Sequence, residues 1–382
     1  MVPRLASRED NLTVNDWILN IATLLYVASL LGVAPYLSRY AVALGASQSE
    51  VSLLATSYAL TAIMLRLIVG YLNDKGYAKH LMVLGGLLNS IAVLVYIEAS
   101  SVSTIYIGRL IQGVSVAFFI PASLYSASLG DPRRASRTIL WRSTMWGLGS
   151  ALGPALLGFI LDRLSWTAMF SVSAILSISS AILSQSYKQS KIESKKSYAL
   201  DSILTLPFIV ASLTLFIYVV SYQSLSLFLP ALHEVSGYPA YETTVFFTIL
   251  ATANLLARLT LSISRSFTPI ATAIIGLILS IIGYISVAID PLSNTTILYA
   301  ILIGGGLGIL FPSLQVISLL GVPEARRGLA SSIYTAMWDL ASLIGPPLVM
   351  TISAGYKDSL MTSAVIVCLA IIPIATFTIL RK

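Results

Sequence analysis

Asp339 is the only acidic residue near the middle of a long apolar stretch in this sequence, about ten residues into Leu329–Ala354 and without a partner nearby in the chain. A carboxyl withdrawn from water holds its proton to higher pH, the property a proton carrier working near neutrality requires. The competing reading is a packing aspartate hydrogen-bonded to a neighbouring helix. Arg109 lies about six residues into Ser103–Leu129, too deep for its guanidinium to reach the interface. Such an arginine costs about 2.5–3.5 kcal/mol unless it faces protein or water. Gln112, backbone carbonyls or a protonatable acid can offset that cost, and a structural clamp between helices is the plainer alternative. Arg66, Arg142 and Arg258 also fall inside apolar stretches. Asp74 differs, because with Gly70 before it and Lys75 after it the residue sits at a polar break. There an aspartate can accept hydrogen bonds from the unpaired amides of another helix's first turn, a contact the helix macrodipole favours by about 0.3–1 kcal/mol. A solvated loop acid is the alternative.

Other chemistries lack their residues. One cysteine, Cys368, and two histidines, His80 and His233, supply neither a disulfide framework nor a Cys/His metal site. Gly304-Gly-Gly-Leu-Gly308 and Gly147-x-Gly149 each lie inside an apolar helical stretch with no strand before it, so neither reads as a nucleotide loop. No Gly-x-x-x-x-Gly-Lys-Ser/Thr run occurs, and neither direct ATP coupling nor any cofactor is expected. A membrane enzyme acting on lipids needs clustered His, Asp or Glu near an interface. The chain offers no such cluster and is not read as an enzyme.

The elements that must position these residues are membrane helices. Of 382 residues, 57% are hydrophobic and only 10% charged, with a mean hydropathy of +0.87. A soluble domain carries about 25% charged residues, so a soluble globular enzyme is excluded. Apolar runs of about 18–25 residues predict twelve spans. They are Trp17–Tyr40, Ser49–Leu72, His80–Ala99, Ser103–Leu129, Thr138–Leu161, Trp166–Tyr187, Ser202–Leu229, Tyr241–Ile263, Pro269–Ile289, Thr296–Leu320, Leu329–Ala354 and Ser359–Leu380. The expected class is therefore an all-α, multi-pass integral membrane protein. The first run is too long for a signal-peptide core and is read as a retained span.

A net charge of +7 suggests nucleic acid only until the basic residues are placed. With the N-terminus inside, sixteen of the 23 Lys and Arg fall on that side, three (Arg39, Arg163, Lys357) on the other, and four within spans. The asymmetry follows the positive-inside rule, predicts both termini in the cytoplasm of a cell-membrane protein, and removes the case for a nucleic-acid partner.

The chain repeats at half its length. A shift of 192 aligns Met145, Trp146, Leu148, Ser150, Gly153, Pro154 and Leu156 with Met337, Trp338, Leu340, Ser342, Gly345, Pro346 and Leu348. The same shift sets Arg66-Leu67 on Arg258-Leu259, and a shift of 191 sets Pro121 on Pro312. Three span pairs sharing one offset indicate a duplicated six-span unit with both copies in the same orientation. The predicted division is an N-terminal half, 1–187, a basic cytoplasmic linker, 188–201, and a C-terminal half, 202–382.

Three motifs make the chain resemble the major facilitator superfamily over nearly its whole length. Gly70-Tyr-Leu-Asn-Asp74-Lys75-Gly76-Tyr-Ala-Lys79 is similar to the family's loop signature after the second span, with Gly76 one place early and Ala78 replacing a basic residue. Arg109-Leu-Ile-Gln112-Gly113 resembles the Arg-x-x-Gln-Gly signature of the fourth span, whose arginine the family associates with proton coupling. Gly149-Ser-Ala-Leu-Gly153-Pro154-Ala-Leu-Leu-Gly158 resembles the Gly-x-x-x-Gly-Pro signature of efflux antiporters. Gly321-Val-Pro-Glu-Ala-Arg-Arg-Gly328, leading to Trp338-Asp339 and Gly345-Pro346, further resembles the drug- and sugar-efflux branch.

The resemblance implies two pseudo-symmetric six-helix bundles that rock about a midplane site. It implies that Asp74, with Gly70 and Lys75, latches onto the start of span eleven near Gly328, with Arg66 and Arg142 as charge partners. Asp339, Arg109 and Gln112 become proton-coupling candidates. Gly149, Gly153, Pro154, Gly345 and Pro346 become places where helices approach closely and bend. Spans one, four, seven and ten line the substrate cavity in such proteins. Here they carry Tyr26, Tyr36, Tyr218, Tyr222, Gln223 and Gln315, joined by Trp146 and Trp338 from spans five and eleven. Rings outnumber amides, which favours an amphiphilic or aromatic small molecule over a monosaccharide, whose buried hydroxyls need many convergent hydrogen bonds. The same tyrosines can equally be interface anchors or packing residues. The expected function is secondary active transport by a monomer, as a proton-coupled antiporter exporting small amphiphilic compounds. The alternatives are an uptake permease for a sugar, organic anion or other metabolite, with Arg109 and Arg142 serving an anion, and a transport-inactive sensor of the same fold.

Overall fold

The computed structural model describes residues 12–46, 48–189, 202–236, 240–264, 267–293 and 296–380. Most of the expected linker, 190–201, and the terminal tails used in the orientation argument lie outside them. The helices are α1 (Val14–Ala43), α2 (Gln48–Leu72), α3 (Ala78–Ile97), α4 (Val102–Ala127), α5 (Pro132–Arg163), α6 (Trp166–Ser186), α7 (Leu206–Val235), α8 (Ala240–Ile263), α9 (Pro269–Ile289), α10 (Thr296–Ile317), α11 (Arg327–Thr351), α12 (Tyr356–Leu369) and α13 (Ile371–Leu380). No strand occurs among the described residues.

Ten described stretches are long and apolar enough to cross a bilayer. One of them, Ser57–Ile97, has 41 residues, about twice the 20 or so that a bilayer needs. It is two crossings, α2 and α3, joined by the turn Asn73–Tyr77, in which Gly76 adopts φ +88°, a left-handed conformation that glycine takes without Cβ strain. α11 is diluted by Arg327, Asp339 and several Ser and Thr and is not among the ten. With α11, and with α12 and α13 as one interrupted crossing, there are twelve. Their outer faces carry exposed Met64, Leu67 and Ile68 on α2, Ile175 and Ile182 on α6, and Ile275, Ile278, Ile282 and Ile285 on α9. Apolar surface this continuous suits lipid, where the backbone bonds of each helix are satisfied within it.

Several boundaries shift by up to six residues from the sequence expectation, α7 ending at Val235 rather than Leu229, and two of the differences have local reasons. α5 starts six residues before Thr138, because Asp131 caps it by accepting from the amides of Arg133 (2.9 Å) and Arg134 (3.1 Å), with Pro132 in the first helical position. Three basic residues expected in a loop, Arg133, Arg134 and Arg137, therefore lie on its first turns. The last span is broken at Ala370, between α12 and α13, just before Pro373, which lacks the N–H to continue the ladder.

The helices pack as two compact units, Met1–Ile203 with Pro323–Ile333, and Leu204–Val322 with Tyr334–Lys382. The first turns of α11 thus pack within the first unit. In that unit α4 packs on α2 and α3, α6 on α1 and α3, and α5 on α1. In the second, α10 packs on α8 and α9, and α12 on α7 and α9.

The repeat extends to individual close approaches. A Cβ on Gly85 would lie 3.0 Å from both Ser115 O and Phe119 N, and one on Gly276 would lie 2.8 Å from Gly306 O and 2.9 Å from Leu310 N. Gly153 meets the backbone of Ala28 and Gly345 that of Val220. These pairs are related by the same shifts of 191 and 192 residues.

Candidate functional site

Arg109 is held by three neighbours. Its Nε donates to Leu54 O (3.1 Å), its Nη1 to Gln112 Oε1 (2.9 Å), and its guanidinium carbon lies 5.0 Å from the centre of the Tyr58 ring. A carbonyl, a carboxamide and an aromatic face answer the cost of an arginine at this depth. Gly113 brings α2 into reach. A Cβ there would lie 2.0 Å from Thr61 Oγ1 and 2.3 Å from Tyr58 O, and Thr61 Oγ1 donates to Leu110 O (3.1 Å) across the same contact. Gly113→Ala should therefore push α2 and α4 apart and cost about 1–3 kcal/mol. Thermal unfolding in detergent checks this, and an unchanged midpoint would mean that the two helices are not in contact here.

Behind Arg109 lies a polar chain that the sequence did not signal. Gln112 Nε2 donates to Asn89 Oδ1 (3.1 Å), and Tyr96 OH donates to Gln112 Oε1 (3.2 Å). Asn89 Nδ2 donates to Ser29 Oγ (2.8 Å) and Ser177 Oγ (3.0 Å). Asn89, Tyr96, Ser29 and Ser177 are completely buried. Asn89 and Tyr96 share α3, Ser29 lies on α1 and Ser177 on the serine-rich α6, and no motif marks any of them.

Asp74 meets the start of α11. Its Oδ1 accepts from the amides of Gly328 (2.8 Å) and Leu329 (3.3 Å), at the end of the helix where the macrodipole favours negative charge. Two glycines permit the approach. A Cβ on Gly328 would lie 2.4 Å from Asn73 Cβ and 2.7 Å from Asp74 N, and one on Gly70 would lie 2.8 Å from Leu329 Cα. Burial pushes the Asp74 carboxyl up from 3.8 to about 7, against the two amides and the charge of Arg326, which favour the anion. Its other oxygen, Oδ2, is buried without a hydrogen-bond partner.

The neighbouring turns add to this contact. Glu324 accepts from Gly130 N (3.2 Å), and Arg327 donates to Ser128 O just beyond the end of α4. Lys75 is exposed and lies over the Tyr71 ring at 5.4 Å. Arg142, expected as a charge partner of Asp74, donates from Nε and Nη2 to Ser123 Oγ (2.9 and 2.8 Å) and from Nη2 to Ile120 O (3.1 Å), both on α4. Arg66 is buried on α2, one turn before Gly70. Arg326 contributes positive field at Asp74.

In the second unit an aromatic cluster forms around Trp338, and Asp339, the next residue of α11, is 8% exposed. Trp338 packs against Tyr222 (centroids 5.9 Å) and edge-on to Phe311 (5.5 Å). Arg258 lies 5.1 Å over the Phe311 ring and donates to Asn254 Oδ1 (2.6 Å). Phe311, Asn254 and Arg258 were not among the expected site residues, although the alignment of Arg258 with Arg66 was the available signal.

Of the remaining ring and amide candidates, Tyr26, Tyr36, Tyr218 and Gln223 make hydrogen bonds within their own units. Tyr26 is buried, shares a 2.7 Å hydrogen bond with Ser115 Oγ and stacks on Phe119 at 3.9 Å. Tyr36 donates to Pro154 O (2.8 Å), and Tyr218 shares a 3.1 Å bond with Ser280 Oγ. Each of the three hydroxyls is thus bonded within its own unit. Gln223 donates to Ser342 Oγ (2.7 Å), Gln315 is buried with Oε1 unpaired, and Trp146 is half-buried on α5. On α5, a Cβ on Gly149 would lie 2.8 Å from Leu24 O and one on Gly153 2.4 Å from Ala28 O. Pro154 and Pro346 follow the paired glycines inside α5 and α11.

Comparison with known proteins bears on this arrangement. An uncharacterised MFS-type transporter of Methanocaldococcus jannaschii is 27% identical over 352 residues, covering 86% of this chain and 88% of the relative. The methylenomycin A resistance protein of Bacillus subtilis is 31% identical over 148 residues, 38% of this chain and 31% of its own length. That match spans under a third of the resistance protein. Among solved structures, a human organic anion transporter superposes with a TM-score of 0.76 over 94% of this chain and 98% of its own, at 14% identity, a likeness of fold. Residues 19–380 match the Major Facilitator Superfamily, and the chain belongs to that family of integral, multi-pass membrane transporters.

Proposed function

We propose that the chain is a proton-coupled antiporter that exports small amphiphilic compounds from the cytoplasm by alternating access. It works as a monomer with both termini inside, and its moving parts are two six-helix halves joined through 188–201. The observation that carries the reading is the cluster of Trp338, Tyr222 and Phe311 rings in the second unit, with the buried Asp339 next to Trp338 in the sequence of α11. A flat apolar ligand stacks on such rings, and a titratable carboxyl beside them lets the gain of a proton trade against the binding of that ligand. Export is supported by the resemblance of the α5 glycine–proline run to efflux antiporters and by the methylenomycin resistance relative. Arg109 and Gln112 are proposed to support coupling, and Asp74 with Gly70 to hold the start of α11.

Proteoliposomes loaded with a pH dye provide the test, with ethidium as the amphiphilic probe under an imposed proton gradient. Ethidium-dependent proton movement is expected in the wild type, with at least a tenfold loss in a folded Asp339→Asn variant. Equal flux in that variant would remove Asp339 from the proton path, and no flux in the wild type would remove proton antiport for this probe.

A second reading, transport of an organic anion, rests on Arg109 alone. The arginine is half-buried, and Nε and one Nη1 proton are spent on Leu54 and Gln112. Arg142 is 1% exposed and directed at α4, so it does not support that reading. Uptake of a sulfonated dye in preference to ethidium would favour the anion.

A further inference from the structure

We propose that Asn89 is the positioning residue for Arg109, acting through the carboxamide of Gln112, so that the coupling arginine proposed above is held as a directed charge. The inference deepens that reading and rests on it for its functional consequence. Its evidence is the direction in which every hydrogen bond of the chain must run.

The direction is fixed at the far end. Ser177 Oγ donates to Gly86 O (2.9 Å), so its hydroxyl proton is committed and its oxygen is left to accept. Ser173 Oγ donates to Ser29 O (3.2 Å), so the 2.9 Å contact between Ser173 Oγ and Ser29 Oγ takes its proton from Ser29. Both hydroxyl oxygens facing Asn89 are therefore acceptors, and they claim its NH2 group. That orientation turns Asn89 Oδ1 toward Gln112, which answers with Nε2. Gln112 Oε1 is then the atom presented to Arg109 Nη1 and Tyr96 OH.

Reversing either amide would set two NH2 groups or two oxygens against each other in a site without exposed atoms, where an unmade bond costs far more than in water. The chain thus transmits orientation from α6 and α1 through α3 to α4. It is not a proton wire, because two carboxamides interrupt it and neither exchanges a proton as a hydroxyl does. Its product is a guanidinium fixed over the Tyr58 ring.

The test reads Arg109 directly. Wild type and variants in detergent are treated with phenylglyoxal, and modification of Arg109 and Arg142 is followed by peptide mass spectrometry. Asn89→Leu is expected to speed modification of Arg109 about tenfold, matching Gln112→Met, while Arg142 stays within twofold of wild type.

If Asn89→Leu does not fold, Ser29→Ala/Ser177→Ala removes the two acceptors that orient Asn89 and should give a rise of at least threefold. Unchanged Arg109 reactivity in the folded variants, or an equal rise at Arg142, overturns the proposal. Proton-coupled ethidium flux measured in parallel separates the two claims. Altered reactivity with unaltered flux leaves Asn89 a positioning residue and removes Arg109 from coupling.

Discussion

Valine at position 304 should sharply lower the yield of folded protein. A Cβ on Gly304 would lie 2.1 Å from Leu250 O and 2.9 Å from Leu250 Cα, atoms of the α8 backbone that cannot rotate aside. Valine adds two further methyl groups at the same point. Overpacking of a helix contact costs about 1–3 kcal/mol when side chains can yield, and here only a shift of a whole helix relieves it. The expected loss is about 3 kcal/mol or more, a large share of the roughly 5–15 kcal/mol that stabilises a typical protein. Monodisperse yield after detergent extraction measures it. Gly305→Ala is the control, because nothing lies within 4 Å of a Cβ there, and its yield should match wild type. Wild-type yield from Gly304→Val would mean that α8 and α10 do not touch at this point.

The second large effect is a pH dependence at Asp74. Its carboxyl titrates at about 7 when docked on α11 against 3.8 when solvated, so the docked state binds the proton more tightly. Docking is then fully favoured below about pH 4, weakens as pH rises through about 7, and changes little beyond pH 8. Arg326 and the two α11 amides limit this weakening, and without them burial would raise the carboxyl further.

A cysteine reporter makes the change visible. Ser332 is buried, and its Cβ would lie 3.0 Å from a Cβ on Gly70. In a Cys368→Ser background, maleimide labelling of Ser332→Cys should rise roughly tenfold between pH 5 and pH 8 relative to the same cysteine in an Asp74→Asn protein. The ratio cancels the growing thiolate fraction, which affects both proteins alike. Asparagine stands for the protonated carboxyl at every pH, so a ratio that stays flat would show that ionisation of Asp74 does not control the contact.

Twelve crossings were legible because each needs a long apolar run, and the internal repeat because glycines and prolines at helix contacts leave few substitutes. Asp74, Arg109, Gln112 and Gly113 stood out for the same reason: charge in an apolar stretch and glycine beside it are rare. The partners of these residues were not legible. Asn89, Ser29, Ser173 and Ser177 meet across 60 to 144 positions of chain, and a lone serine in a span is equally at home facing its own helix carbonyl. Ring type alone could not separate Tyr26 and Tyr218, whose hydroxyls are bonded to serines of the same unit, from Tyr222, which joins Trp338. The early start of α5 was hidden because its first turns are as basic as a loop, and only the Asp131 cap distinguishes them.

The allegiance of α11 matters for anyone who would cut this protein in two. Its opening turns, with the segment from Pro323, complete the first unit, while its remainder from Tyr334 belongs to the second. Residues 1–201 made as a separate polypeptide would lack what covers Gly70, Asp74 and Gly130. The duplicated halves are thus not interchangeable modules, and reassembly from two co-expressed fragments should require the C-terminal one to carry 323–333 intact.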